Sequence, residues 1–182
     1  DYRTKAAGNW TSLAVWERYN GSSWAQPSAG EGYPCQNASP GRTDINHDVT
    51  LDINIATAGR YVGDLNINTG TLELSGRDFY VSGDVVISST LSDNNASARY
   101  KRFYGTVTVN TGATWSSLAS PTSRLLFYAD IINNSNNVSI LRCRAASDIT
   151  VSGSGSMTLD YFEYDGNGIT ITNQIVLASN IL

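Results

Sequence analysis

The chain is poor in charge, in histidine and in cysteine, and each shortage removes a class of function. Only 15% of its 182 residues are Asp, Glu, Lys or Arg, against about a quarter in ordinary globular domains. The formal charge is −4. The densest basic run, Arg99-Tyr100-Lys101-Arg102, reads as a solvated loop. Nucleic-acid binding, which sets clustered cations against phosphates, is therefore disfavoured. No apolar run reaches the ~18 residues that read as a membrane-spanning helix. The single histidine, His47, reads as a turn residue. With one His and two isolated Cys, a structural zinc site lacks its four ligands. Two cysteines are also too few for a disulfide framework. A single Cys35–Cys143 bridge and a pair of small buried thiols are both open; a bridge closing so long a loop would contribute about 3–5 kcal/mol.

What is present instead is Asn, Ser, Thr and Gly. These residues compete with helical hydrogen bonding and suit turns and strands. The first 43 residues stand apart. They hold Trp10, Trp16 and Trp24 and three of the four prolines, Pro27, Pro34 and Pro40. The spacing predicts a short helix or turn near Leu13–Glu17, a turn at Asn20-Gly21, and a small hairpin. Aromatic residues placed this way read as a cap over one end of a core.

From residue 44 to 182 the pattern is alternation. Alternating triplets begin at 49, 65, 85, 107, 125, 149 and 169, spaced by 16, 20, 22, 18, 24 and 20 residues. Second triplets follow several of them, at 72–74, 139–141, 157–159 and 175–177. A loose period near twenty with two or three short strands per period is the mark of a solenoid. One coil cannot bury its apolar face alone, whereas stacked coils pair their strands and share a core. The expected fold is all-β: a short right-handed parallel β-helix of six or seven rungs with an aromatic N-terminal cap. An antiparallel β-sandwich built from the same strands is the alternative, and Asp165-Gly166-Asn167-Gly168 is the place where a hairpin competes. Gly70, Gly83, Gly112 and Gly153 are expected at corners. The segments 88–105 and 113–124 are expected to leave the stack as loops, with Trp115 and Leu118 tucked back against its side.

The N-terminal half resembles a known kind of module. The stretch YRTKAAGNWTSLAVWERYNGSSW, then TDINHDVTLDINIA, VGDLNINTGTLELSG and FYVSGDVVIS, together spanning most of residues 2–88, is similar to the opening module of large secreted surface proteins of Bacteroidetes-type bacteria. Trp10 and Trp16 match its two tryptophans. The resemblance implies a parallel β-helix in an adhesin-like protein exported by type IX secretion. It implies an extracellular or cell-surface location. The Cys35 loop is longer than that pattern, and its sorting domain is missing, so the chain is expected to be a fragment or a short relative.

Candidate chemistry is sparse. Glu73, Asp78 and Asp84, with Arg77 beside them, are the acids a carbohydrate-cleaving β-helix would need. Glu73 is expected to point outward between Leu72 and Leu74, and Asp84 to sit at a corner; all read as solvated acids. For calcium, the only candidate ion, the alternating oxygens of Asp44, Asn46 and Asp48, and the group Asp160, Glu163 and Asp165, are candidate ligands. Neither matches an EF-hand loop. Trp24, Tyr33, Tyr100 and Tyr104 are candidate stacking platforms for glycans. The leading expectation is a non-enzymatic structural or adhesive module, self-associating or filament-forming through its ends, whose partners are neighbouring domains or subunits. A glycan-binding module and a carbohydrate-active enzyme are the alternatives.

Overall fold

The computed structural model describes the chain except residues 96–98, 118–123, 165–168, 173 and 182. It is a parallel β-solenoid. In one sheet the strands Arg42–Ile45, Asp64–Ile67, Val85–Ile87, Val107–Val109, Ile131–Asn133, Ile149–Ser152 and Ile169–Ile171 stack side by side. Every pair in this series is parallel. A second sheet is built from two limbs. One runs through Thr71–Glu73, Thr90–Asp93 and Thr114–Ser117; the other runs through Phe79–Val81, Tyr100–Phe103 and Arg124–Phe127. Both limbs end on the nine-residue strand Asn137–Ala145, which joins them, and Ser156–Tyr164 and Gln174–Ile181 continue it. The parallel pairing from coil to coil excludes the sandwich.

Alternation explains the core. In each strand one set of side chains enters the coil and the other faces out. Leu65, Val85, Val107 and Ile131 form one inward column, each in register with the next and each buried. Leu72, Leu91, Trp115, Val138 and Met157 form another. Stacking turns one-residue hydrophobic contacts into continuous columns, so each coil's burial depends on its neighbours.

Two of the triplets read from the sequence belong elsewhere. Residues 49–51 and 125–127 lie in or beside the second sheet. The true members of the first series are Arg42–Ile45 and Ile131–Asn133. The in-register column is Thr43, Leu65, Val85, Val107, Ile131, Val151 and Ile171, spaced by 22, 20, 22, 24, 20 and 20 residues. The two segments expected to loop out also carry strands. Thr90–Asp93 and Tyr100–Phe103 flank a connection within 88–105, and Thr114–Ser117 lies within 113–124. Trp115 is therefore a core residue at 1% exposure, not a side-on contact. Leu118 and the hairpin candidate at 165–168 lie outside the described residues.

Corners are held by side-chain oxygens. Asp64 Oδ1 accepts the Asp84 N–H at 3.0 Å, and Asp84 Oδ1 accepts the Thr106 N–H at 2.8 Å. Asp48, Asp78 and Asp130 do the same for Thr71, Tyr100 and Thr150, and Asn134 and Asn136 for Ser154 and Ser156. Each satisfies an N–H of the following coil that the sheet ladder leaves over. Gly63, Gly83 and Gly105 precede this corner because the coils touch there. A Cβ on Gly105 would lie 2.3 Å from the Gly83 carbonyl oxygen. Gly105 is thus a glycine for closeness, and so is Gly83, whose Cβ would lie 2.1 Å from Asp64 Oδ1, whereas Gly70, Gly112 and Gly153 have positive φ.

The N-terminal segment joins the same sheets. Tyr2–Thr4 pairs in parallel with Arg42–Ile45 and antiparallel with Trp16–Tyr19, and a hairpin through Asn20-Gly21 adds Trp24–Ala25. The expected helix is a single 3-10 turn at Leu13–Val15. Trp10 and Trp16 are fully buried, with ring centroids 4.9 Å apart, and Trp10 meets Phe79 edge-on at 5.8 Å. Each indole N–H is satisfied, Trp10 Nε1 on the Pro34 carbonyl and Trp16 Nε1 on that of Trp10.

Candidate functional site

The most distinctive outer surface is a tyrosine strip on the second limb. Phe79 and Val81 point inward, so Tyr80 faces out, and register places Arg102 beside it. The bridge between Val62 and Val81 brings Tyr61 alongside Tyr80, with centroids 5.3 Å apart. Tyr104 and Tyr128, one residue beyond the paired Phe103 and Phe127, stack at 4.6 Å with their planes 18° apart. Tyr61 stacks on Tyr104 at 6.1 Å. All four tyrosines are half-buried.

Arg102 sits within this strip. Its guanidinium lies 4.8 Å from the centre of the Tyr80 ring and 5.6 Å from that of Tyr100. A hydrogen bond to Tyr104 raises its already high pKa further. Burial raises the Tyr80 phenol, which Arg102 partly offsets. The strip offers phenol hydroxyls and a fixed positive charge, a set suited to hydrogen-bonding a polar, hydroxyl-rich ligand.

The expected stacking platforms fare differently. Tyr104 is in the strip, but rings from an earlier and a later coil stack against it, so it presents an edge and a hydroxyl rather than a free face. Tyr100 is 41% exposed, with Arg102 against its ring. Trp24 is half-buried between Tyr19, at 5.4 Å, and Arg3, whose guanidinium lies 4.5 Å from the indole centre. Tyr33 packs against the core, and burial raises its phenol pKa. The structure does not gather these four residues into one site. Tyr61, Tyr80, Tyr128 and Arg102 were not expected. For Tyr80 and Tyr128, as for Tyr104, the signal was a Phe-Tyr dipeptide repeated at 79–80, 103–104 and 127–128; Tyr61 and Arg102 carry no such signal.

The candidate acids serve other carboxylate roles. Asp44 pairs with Arg42 at 3.1 Å and accepts from Asn66 Nδ2 at 2.8 Å. Asn46 accepts from Asn68, and Asp48 caps Thr71. Glu163 pairs with Arg142, and Asp160 lies half-buried on the same strand. Asp165 lies outside the described residues. Among the described residues no three His, Cys, Asp or Glu side chains group as metal ligands. Glu73 is half-buried rather than freely solvated: it accepts from Ser92 Oγ, from the Ser75 N–H and from the backbone and side chain of Asn94. Asp78 pairs with Arg99 and caps Tyr100. His47 is an exposed turn residue whose Nδ1 lies 3.4 Å from Thr4 Oγ1.

The two cysteines are free and buried, which replaces the bridge with the pair of thiols. Cys35 belongs to the N-terminal segment, at the level of Trp10 and Tyr33. Cys143 is reached from the Phe79 level only across Lys101 and Leu125, some 14 Å at about 4.8 Å per strand. Disulfide geometry does not span that separation. Burial pushes the Cys35 thiol up to about 12 and the Cys143 thiol up as well.

No helix among the described residues is long and apolar enough to cross a membrane. No family model, curated protein or solved structure matches the chain.

Proposed function

We propose that this chain is a non-enzymatic, adhesive β-solenoid module of a secreted bacterial surface protein, of the kind its N-terminal motifs resemble. The observation that supports this is how its polar side chains are used. Asp and Asn at successive corners accept backbone N–H groups from the next coil, and the acids best placed for glycan cleavage, Glu73, Asp78 and Asp84, are among those engaged. Such residues lock a rod rather than await a substrate. The test is retention under flow. Beads carrying the chain are passed over glycan-coated and bacterial surfaces, and the same glycans are assayed for cleavage. Retention without cleavage supports the module. Cleavage overturns its non-enzymatic character, and retention no better than albumin-coated beads overturns its adhesive one.

A glycan-binding reading is favoured by the tyrosine strip. Its hydroxyls and Arg102 would grip a carboxylated saccharide edge-on rather than by ring stacking. Titration of acidic and neutral oligosaccharides into the chain, repeated with Arg102→Gln, tests it. Binding of the acidic series only, weakened tenfold or more by the substitution, is the expected result; equal binding of both series removes this reading.

A further inference from the structure

Lys101 and Asp93 are the only charged residues fully buried among those described. Lys101 occupies an inward position between Phe79 and Leu125, a column otherwise continued by Cys143 and Phe162. Asp93 ends the strand Thr90–Asp93 and is in register with Ser117. Lys101 Nζ lies 2.5 Å from Asp93 Oδ2, with side-chain exposures of 0% and 3%. The other oxygen, Oδ1, accepts the Gly76 N–H at 2.7 Å. Placing two opposite charges in a hydrocarbon interior is expensive, and Coulomb attraction often fails to repay the desolvation. A hydrophobic pair would fill these positions more simply.

We propose that this is a reaction site, and that Lys101 Nζ and Asp93 Cγ become joined by an intramolecular amide bond. The groups needed are in place. Proton transfer from Nζ to Oδ2 leaves a neutral amine facing a carboxylic acid, with no solvent to compete. The amine lone pair attacks Cγ, and negative charge gathers on Oδ1. The Gly76 N–H already donates to that oxygen, as an oxyanion-stabilising donor does. The nitrogen then gives up a second proton to the departing Oδ2. The N–C bond forms, the C–Oδ2 bond breaks, and Oδ2 leaves as water. An ammonium and a carboxylate thus become one amide and one water, with no oxidant, cofactor or activated reagent. Fixed proximity supplies the acceleration, because the partners are held in contact by the stacked coils rather than by diffusion. The product removes both buried charges and closes residues 93–101 into a ring, tying the two limbs of one coil together.

The experiment is intact mass spectrometry of the folded 182-residue chain, followed by tryptic mapping. The expected result is a mass one water below that of the sequence in the bulk of the molecules, persisting after denaturation. Digestion then yields a branched product in which residues 78–99 are joined to 100–102, with Lys101 left uncut. Lys101→Arg and Asp93→Ala chains return the full sequence mass. A folded wild-type chain at its sequence mass overturns the proposal. So does a water loss that maps elsewhere, for example to a succinimide at Asp165-Gly166. If either variant fails to fold, the wild-type mass and map decide the question alone, independently of any adhesive role.

Discussion

Alanine at position 105 should damage this protein far more than alanine at an uncrowded glycine such as Gly30. Gly105 stands where one coil rests on the next. Its Cβ would lie 2.3 Å from the Gly83 oxygen, 2.4 Å from the Gly83 carbonyl carbon and 2.7 Å from the Asp84 nitrogen. All three are backbone atoms, so no rotamer relieves the clash, and the coils must part locally. Two hydrogen bonds cross this junction: the Thr106 N–H to Asp84 Oδ1 and the Val85 N–H to the Thr106 carbonyl, each 2.8 Å. Overpacking costs about 1–3 kcal/mol, and each strained bond adds roughly 1 kcal/mol. The expected loss is therefore about 3–5 kcal/mol, or a drop of about 1.5–2.5 M in the urea midpoint at an m-value near 2 kcal/mol/M. Gly83→Ala meets Asp64 Oδ1 first, at 2.1 Å. That carboxylate can swing aside, leaving the Asp84 N–H without it, so about 1–2 kcal/mol is expected. Gly30 has open space around it and no positive φ. Gly30→Ala should be neutral or stabilise by up to about 1 kcal/mol through the unfolded chain. Urea titrations of all three, followed by far-ultraviolet circular dichroism, check the order. If Gly105→Ala and Gly30→Ala unfold at the same urea concentration, the close-contact account of the corner is wrong.

Other outcomes follow from the N-terminal segment and the thiols. Trp10→Ala empties a fully buried site and orphans the Pro34 carbonyl; a loss of about 3–5 kcal/mol is expected, with Trp10→Phe costing less, both read from thermal melts. Cys35, pushed up to about 12, should alkylate at pH 8 on the order of a thousandfold more slowly in the folded chain than in urea; comparable rates would mean an accessible thiol. Its protonated form is favoured by folding, so its contribution is intact below the ordinary thiol value of 9.0 and is lost as pH rises toward about 12. Cys35→Ala should flatten that part of the stability–pH curve, and an unchanged slope would assign it to other groups.

The sequence made the solenoid legible where alternation was clean, as in Leu65/Ile67, Val85/Ile87 and Val107/Val109. It misled where a polar side chain faces inward. Asn133 is fully buried because Nδ2 donates to the Ser156 carbonyl and Oδ1 accepts the Ser135 N–H. Those bonds let an amide occupy an apolar position, and they hid a strand. Thr43, an inward hydroxyl at the first coil, hid a strand too, though without such bonds. Residues 88–105 looked like a loop because Ser92, Asp93 and Lys101 all point into the core. Composition cannot separate an inward ion pair from a solvated one. The corner acids were visible one at a time, but their shared role emerges only when the coils are stacked. The tyrosine strip is hidden for a related reason: no single exposed ring marks it, and only the repeated Phe-Tyr dipeptide carries the inward–outward geometry.

The corner bonds also have a direction. The acceptor side chain belongs to the earlier coil and the N–H to the later one, at Asp48, Asp64, Asp84 and Asp130 alike. A chain emerging from the ribosome or a secretion channel with its N-terminus leading would present each acceptor before its donor arrives. Every finished coil is then a template for the one still unmade, and growth is vectorial, starting from the Trp10–Trp16 cluster. N-terminal fragments cut after a whole coil, for example after Gly112, should retain strand signal and protease resistance; C-terminal fragments of equal length should not. Equal resistance in both would mean that the coils assemble without a preferred direction.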